Sequence, residues 1–151
     1  HWQTTWFGRD TGRQERGVGV IPWIVDVEGE YGCRDRESAV VKDFASRDNV
    51  VIATGGGVVL RPENRTVMSN ASTVVYLEAS LSTLVSRTEG KTKRPLLVGK
   101  DVRKVLQEIM AVREPLYREV ADVTVASTGG SAKKLAGVIA EKLTAFNKGE
   151  L

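Results

Sequence analysis

The segment NVVIATGGGVVL (residues 49–60) decides the fold, because three consecutive glycines follow directly on an apolar run of strand-forming residues. Glycine is disfavoured inside a strand, where it loses backbone entropy and packs no side chain. The apolar run therefore predicts a buried strand, and Gly55, Gly56 and Gly57 predict the tight turn after it. In an open α/β sheet, ligands bind beyond the carboxyl ends of the strands. Glycines there let backbone N–H groups approach an anion or a hydroxyl, and the alternative is a plain strand-to-helix turn.

The sequence on both sides of this segment alternates between helical and strand patterns. Residues 37–45 place Val40, Val41 and Phe44 on one helical face, and Pro62 favours the start of a short helix. The later elements are a strand at 72–78, a helix over 81–87 capped by Ser80, a long helix capped by Asp101, a strand at 121–127 and an amphipathic helix from Ser131. The strands are continuous apolar runs, which predicts a parallel sheet with helices on each side.

One domain is expected over residues 1–151, since the sequence shows no internal repeat, low-complexity segment or linker. The first 19 residues carry no clear period of either kind. Residues 88–100 form a basic, glycine-bearing loop that is long for a compact domain.

Composition favours a small anionic partner. The single cysteine, Cys33, cannot form an internal bridge, and the apolar runs are too short to cross a bilayer, so we expect a cytoplasmic protein with no membrane partner. We also expect a monomer. The net charge of +3 suits nucleic acid or small phosphorylated and carboxylated metabolites. Dispersed basic residues and few aromatic ones argue against nucleic acid, although a basic domain that binds it remains an alternative.

Four arginines lie at predicted loop or helix-end positions. Arg34 and Arg36 are predicted to precede the helix that leads to the glycine strand, Arg94 lies in the 88–100 loop, and Arg113 is predicted at the end of the long helix. Arginine binds carboxylate and phosphate in bidentate fashion. Each arginine alone could be a solvated surface charge. Together, beside a glycine turn, they favour a site for an anionic small molecule.

Five blocks of sequence then occur together in one order and spacing. They are IPWIVDVEGEYGCRDRE (21–37), VIATGGGVV (51–59), VVYLEAS (74–80), RT followed four residues later by KRPLL (87–97), and the R-x-PLY-x-EVADV-x-V pattern (113–125). Over about residues 7–146 the chain resembles the shikimate kinase family. The resemblance implies a three-layer α/β/α P-loop kinase-like fold with a parallel sheet and a mobile lid, which residues 88–100 would form. A related small-metabolite kinase, such as a gluconate kinase, is the alternative within this fold.

The family's reaction follows from the same resemblance. It transfers the γ-phosphate of ATP to the 3-hydroxyl of shikimate with Mg²⁺, a step of the chorismate route to aromatic amino acids. Matching positions imply that Arg34 and Arg113 pair with the shikimate carboxylate and that Glu37 holds Arg34 in place. The backbone of Gly55, Gly56 and Gly57 would contact the shikimate hydroxyls.

The resemblance also implies the catalytic positions. Arg94 would reach over the transferring phosphate, and Arg87 would pack near the adenine. Asp10 would accept the proton of the substrate hydroxyl or orient that hydroxyl. Cys33 stands where the family has Phe, which softens that wall of the pocket. Such positioning and charge neutralisation supply most of the catalysis of phosphoryl transfer.

The N-terminal part departs from the family pattern. Residues 1–151 contain no GxxxxGK[ST] string, and Gly8 stands where the family has the aspartate of the magnesium shell, so no metal ligand is identifiable. The family's first strand and P-loop are thus missing from these residues. We expect the 151-residue polypeptide alone to be impaired in phosphotransfer. The alternative is a homologue that binds a shikimate-like acid and transfers nothing.

Overall fold

The structure of the chain is a computed structural model. It describes residues 34–48, 50–88, 101–128 and 130–150, together with the backbone of residues 5–8 and 14–16. The chain divides into two compact units, His1–Ser72 (the N-terminal unit) and Thr73–Leu151 (the C-terminal unit). Within the described residues, no helix is long and apolar enough to span a membrane.

The N-terminal unit combines a small antiparallel sheet with two helices. Strands β1 (Thr5–Gly8), β2 (Gln14–Arg16) and β3 (Val50–Ile52) pair in the order β2-β1-β3, with Trp6 opposite Ile52. Residues 34–45 are helical (α1). The glycine turn leads into a short 3-10 helix (Gly56–Leu60), and helix α2 (Pro62–Ala71) follows.

Both helices in this unit follow from local sequence. In α1, Val41 is buried and Val40 and Phe44 are half-buried, while the neighbouring Lys42 is exposed, as the helical spacing predicts. Pro62 occupies the first turn of α2, where the missing N–H breaks no helical hydrogen bond.

The environment of β3 differs from the sequence prediction. The apolar run predicted burial on both faces in a parallel sheet, yet Val51 is 69% exposed and β3 pairs antiparallel with β1 at one edge of its sheet. The burial prediction is wrong for Val51. A continuous apolar run shows only that a strand could be buried on both faces, and the elements that pack against the strand decide whether it is buried. Strand β1 itself lies in the segment that showed no period.

The C-terminal unit confirms the alternation of strands and helices. Strands β4 (Val75–Glu78) and β5 (Val123–Ala126) pair in parallel with Val75 opposite Val123. Helices α3 (Leu81–Thr88) and α4 (Val102–Val120) lie between them in sequence, as a parallel connection requires, and α5 (Ala132–Asn147) follows β5. Among the described residues of this unit, the buried apolar side chains are Tyr76, Leu106, Val120, Val123 and Val125.

Two predicted helix caps in this unit are confirmed. The Ser80 hydroxyl accepts a hydrogen bond from the Thr83 N–H at 3.2 Å. The Asp101 carboxylate accepts from the N–H groups of Arg103 and Lys104 at 3.0 and 3.2 Å. Each cap satisfies backbone donors that have no partner inside the helix.

Asp101→Ala is expected to lower the free energy of unfolding by about 1 kcal/mol, because two N–H groups of the first turn of α4 lose their acceptor. Urea unfolding followed by circular dichroism measures the change. Asp101→Asn is the matched control, since asparagine caps helices about as well as aspartate. Equal losses in the alanine and asparagine variants would contradict the capping role.

Candidate active site

The Arg34 guanidinium lies against the glycine turn of the N-terminal unit. Its Nη1 donates a hydrogen bond to Glu37 Oε2 at 2.7 Å, one helical turn along α1. A Cβ atom built on Gly57 would fall within 2.7 Å of Nη1, Nη2 and Cζ of Arg34. Both side chains of the ion pair are about one quarter exposed, and the guanidinium contacts protein on two sides, at Glu37 and at Gly57.

The backbone of the glycine turn is ordinary. None of the three glycines has a positive φ, and Gly55 is extended at φ −72° and ψ 153°. The Gly55 carbonyl accepts a hydrogen bond from the Val58 N–H at 3.2 Å, which closes the turn into the 3-10 helix. At Gly57 the structure therefore requires glycine for the close approach of Arg34 rather than for a left-handed backbone.

Side chains of α2 hold the carbonyl groups of this turn. Asn64 Nδ2 donates to the Val58 carbonyl at 2.9 Å, and Arg65 Nη1 donates to the Val59 carbonyl at 2.8 Å. Asn64 is only 2% exposed, so its hydrogen bond is shielded from water. The role of these two residues could not be recognised from the sequence, because an asparagine in a short helix gives no sign that it is buried.

Arg61 joins the turn to α1. Its Nη2 forms an ion pair with Asp35 Oδ1 at 2.7 Å, and its Nη1 donates to the Ser38 hydroxyl at 3.3 Å. Asp35 and Ser38 flank the Arg34–Glu37 pair along the helix. The start of α1, which carries the predicted carboxylate-binding arginine, is thus tied to the residue that precedes α2.

In the C-terminal unit, Arg113 is half-buried on α4 and lies beside Tyr117. Burial raises the pKa of the Tyr117 phenol, whereas the charge of Arg113 and its side-chain hydrogen bond to the phenol lower that pKa. The Tyr117 ring stacks on Tyr76 of β4, with centroids 5.1 Å apart and planes 25° apart. The strand therefore supports the tyrosine that contacts Arg113.

Arg87 contacts the segment that follows β5. Its Nη2 donates to the Ser127 carbonyl at 3.2 Å and to the Ser127 hydroxyl at 3.1 Å. This contact fixes the last turn of α3 at the carboxyl end of the parallel pair. Sequence reasoning did not single out Ser127, which lies 40 positions away from its partner.

A cavity of about 430 Å³ opens at the carboxyl ends of β4 and β5. Hydroxyl groups and two carboxylates dominate its polar lining: Glu78, Ser80, Thr83, Glu114, Ser127 and Thr128. Arg118 forms ion pairs with both Glu78 and Glu114, the latter at 2.8 Å. The Tyr76 hydroxyl, buried near these carboxylates, has no hydrogen-bond partner in the described part of the chain, and burial, then Glu114, raise its pKa.

The structure thus brings together Arg34, Glu37 and Gly57 within one unit, with Gly55 and Gly56 in the adjoining turn. Arg87 and Arg113 lie in the other unit. Asp10, Cys33, Arg94 and nearly all of the 88–100 loop lie outside the described residues, and Gly8 is described as backbone alone. The convergence of these residues on one ligand stays a prediction.

The parallel strand pair joined through helices belongs to the α/β class, and the similarity of the chain to solved shikimate kinases gives it the P-loop kinase fold. A family model described as shikimate kinase matches residues 6–144. The chain belongs to the shikimate kinase family, which makes it a kinase, a transferase of phosphoryl groups.

Known relatives agree with this assignment. The shikimate kinase of Halorhodospira halophila is 50% identical over 130 residues, which are 85% of this chain and 73% of that protein. The shikimate kinase of Francisella tularensis subsp. holarctica is 48% identical over 127 residues, covering 83% and 72%. A solved shikimate kinase from Acinetobacter baumannii, in complex with shikimate, aligns with a TM-score of 0.78 and 37% identity over 84% of this chain and 71% of that one.

Proposed function

We propose that this chain binds shikimate and that its family's reaction, transfer of the γ-phosphate of ATP to the 3-hydroxyl, is the reaction its site serves. The product would enter the chorismate route to aromatic amino acids. Support comes from the family match and from the shikimate found in the Acinetobacter baumannii relative. We also propose that the protein is a cytoplasmic monomer that binds neither nucleic acid nor a membrane.

The proposed roles assign the carboxylate and the hydroxyl groups of shikimate to different residues. Arg34 and Arg113 bind the carboxylate, and the turn of Gly55, Gly56 and Gly57 receives the hydroxyl groups. A bidentate guanidinium suits a carboxylate because two parallel N–H groups meet its two oxygens. Glu37 accepts a hydrogen bond from Nη1 of Arg34, and in this proposal the shikimate carboxylate accepts from the remaining donors of the guanidinium.

The remaining roles concern the phosphoryl group. Asp10 takes or orients the proton of the attacking hydroxyl, Arg94 neutralises charge on the transferring phosphate, and Arg87 packs near the adenine of ATP. Positioning and charge stabilisation of this kind supply most of the rate in phosphoryl transfer. The family resemblance implies ATP as the co-substrate and Mg²⁺ as the ion bound with it. Residues 1–151 contain no GxxxxGK[ST] string to supply the magnesium-binding hydroxyl, and Gly8 stands where the family has an aspartate, so we assign no magnesium ligand and derive no step through the ion.

The observation that carries the proposal is the Arg34 guanidinium, held by Glu37 at 2.7 Å and pressed against Gly57. A solvated surface arginine gains little from a fixed position, since ordering a long side chain loses about 2 kcal/mol of rotamer freedom. A preorganised guanidinium beside a glycine turn gives a small carboxylate a ready partner.

Titration of the 151-residue polypeptide with shikimate, with and without MgATP, tests the proposal. We expect saturable shikimate binding and, in a coupled ADP-release assay, no measurable turnover, because residues 1–151 contain no GxxxxGK[ST] loop to hold the β- and γ-phosphates. Turnover at an ordinary enzyme rate would contradict the predicted impairment, and absence of shikimate binding would overturn the substrate assignment. Salt-sensitive binding of oligonucleotides would instead favour a nucleic-acid-binding domain.

A further inference from the structure

Gly57 lies where the chain leaves no room for a side chain. The residue is buried, and its missing Cβ would come within 2.7 Å of three atoms of the Arg34 guanidinium. Real Cβ atoms essentially never approach other heavy atoms this closely. Since the φ of Gly57 is not positive, backbone conformation does not explain the glycine.

We propose that Gly57 is a positioning residue for Arg34: the absence of a Cβ sets where the guanidinium stands and thereby sets the affinity of the site for a carboxylate. The inference rests on the proposed function, in which Arg34 pairs with the shikimate carboxylate. Its role differs from that of a backbone contact to the ligand, because Gly57 acts through Arg34.

The surroundings of Gly57 decide which group moves when a methyl is added. Asn64 and Arg65 hold the carbonyls of Val58 and Val59, the two residues that follow Gly57. The backbone of the turn is therefore fixed, whereas the guanidinium is the far end of a flexible side chain. A methyl at position 57 displaces the guanidinium and leaves the turn in place.

A displaced guanidinium loses both its contact with Glu37 and its proposed contact with the shikimate carboxylate. The guanidinium moves away from Glu37, whose carboxylate now holds it at 2.7 Å, and loses the fixed orientation that this contact gives it. We expect Gly57→Ala to weaken shikimate binding by about 10- to 100-fold, the range for losing one charge-assisted hydrogen bond.

A double-mutant cycle read by calorimetric titration of the whole chain with shikimate tests this. The four proteins are the parent chain, Gly57→Ala, Arg34→Ala and the double variant. If Gly57 acts through Arg34, the glycine substitution causes no further loss once Arg34 is alanine. Additive losses, or unchanged affinity in Gly57→Ala, overturn the inference.

Gly137→Ala is the matched control. Gly137 lies in α5, and a Cβ built there meets nothing within 4 Å, so the same chemical change occurs in open space. We expect its shikimate affinity to equal that of the parent chain. A comparable loss in both glycine variants would show a general effect of the substitution and overturn the role of Gly57.

Failure of the proposed function gives a different result. If the parent chain does not bind shikimate, or Arg34→Ala does not change its affinity, the carboxylate assignment fails. The position of Arg34 is then read from its side-chain Nε–H nuclear magnetic resonance signal, assigned by its loss in Arg34→Ala. A signal that moves in Gly57→Ala and not in Gly137→Ala supports positioning, and an unmoved signal overturns it.

Folding of Gly57→Ala gives the last test. If this variant does not fold, the double variant with Arg34→Ala should fold, because truncating the arginine removes the atoms that the new methyl meets. A double variant that also fails to fold would mean that the methyl meets another group, which overturns the inference.

Discussion

Arg34→Ala is expected to weaken shikimate binding by about 100-fold, or about 2.7 kcal/mol. Hydrogen bonds to charged groups contribute about 1.5–3 kcal/mol each net of solvent, and a bidentate contact adds geometric selectivity. The partial burial of Arg34 strengthens the effect, since only about a quarter of its side chain is exposed to screening water. Calorimetric titration of the variant with shikimate measures the change.

Arg47→Ala is the matched control for this experiment. Arg47 follows α1 in the same unit, is more exposed than Arg34, and pairs with Asp43 at 2.6 Å, as Arg34 pairs with Glu37. The Arg47→Ala substitution therefore removes the same charge and a similar ion pair at a position other than the glycine turn. We expect its shikimate affinity to stay within about twofold of the parent value, as for surface charges whose ion pairs contribute little. An equal loss in both variants would point to net charge rather than to a carboxylate contact.

Arg113→Ala should act in the same direction, because the resemblance makes it the second contact to the carboxylate. The tyrosine that accepts its hydrogen bond and stacks on β4 gives Arg113 a supported position. Unchanged affinity after both substitutions, at Arg34 and at Arg113, would exclude a carboxylate clamp in this chain.

The features that sequence predicted correctly are those determined by neighbouring residues. The Asp101 and Ser80 caps and the start of α2 at Pro62 depend on contacts within three or four positions. The sequence placed Arg34 ahead of α1, whereas Arg34 lies within the helix, three positions before Glu37, so that their side chains can form an ion pair. The parallel pairing of β4 and β5 is the exception, since it joins distant residues and was still predicted from two apolar runs separated by helical patterns.

The features that sequence could not predict depend on distant partners. Strand β3 pairs with residues in a segment without any period, so neither the pairing nor the exposure of Val51 could be read from the apolar run. The contact of Arg87 with Ser127 joins residues 40 positions apart. The glycine turn was correctly located, but the reason for Gly57 emerged only when Arg34 was found against it.

Asn64→Ala is expected to lower the free energy of unfolding by about 2–4 kcal/mol, combining a lost buried hydrogen bond with a cavity. Asn64 is 2% exposed, and its Nδ2 donates to the Val58 carbonyl at 2.9 Å. Alanine leaves that carbonyl without this donor and opens the space that the amide filled. Urea unfolding measures the change, which corresponds to a decrease in Tm of about 5–15 °C for a chain of this length.

The same helix provides the control, Asn70→Ala, at an exposed position near the end of α2. Its unfolding free energy should change by less than about 0.5 kcal/mol, as for most surface substitutions. Asn64→Leu separates the two contributions, since leucine nearly keeps the volume of the side chain and carries no donor for the Val58 carbonyl. A loss as large as that of alanine would assign the effect to the hydrogen bond. If the two alanine variants unfold at the same urea concentration, the Asn64 amide does not hold the glycine turn, and the fixed backbone on which the role of Gly57 depends is contradicted.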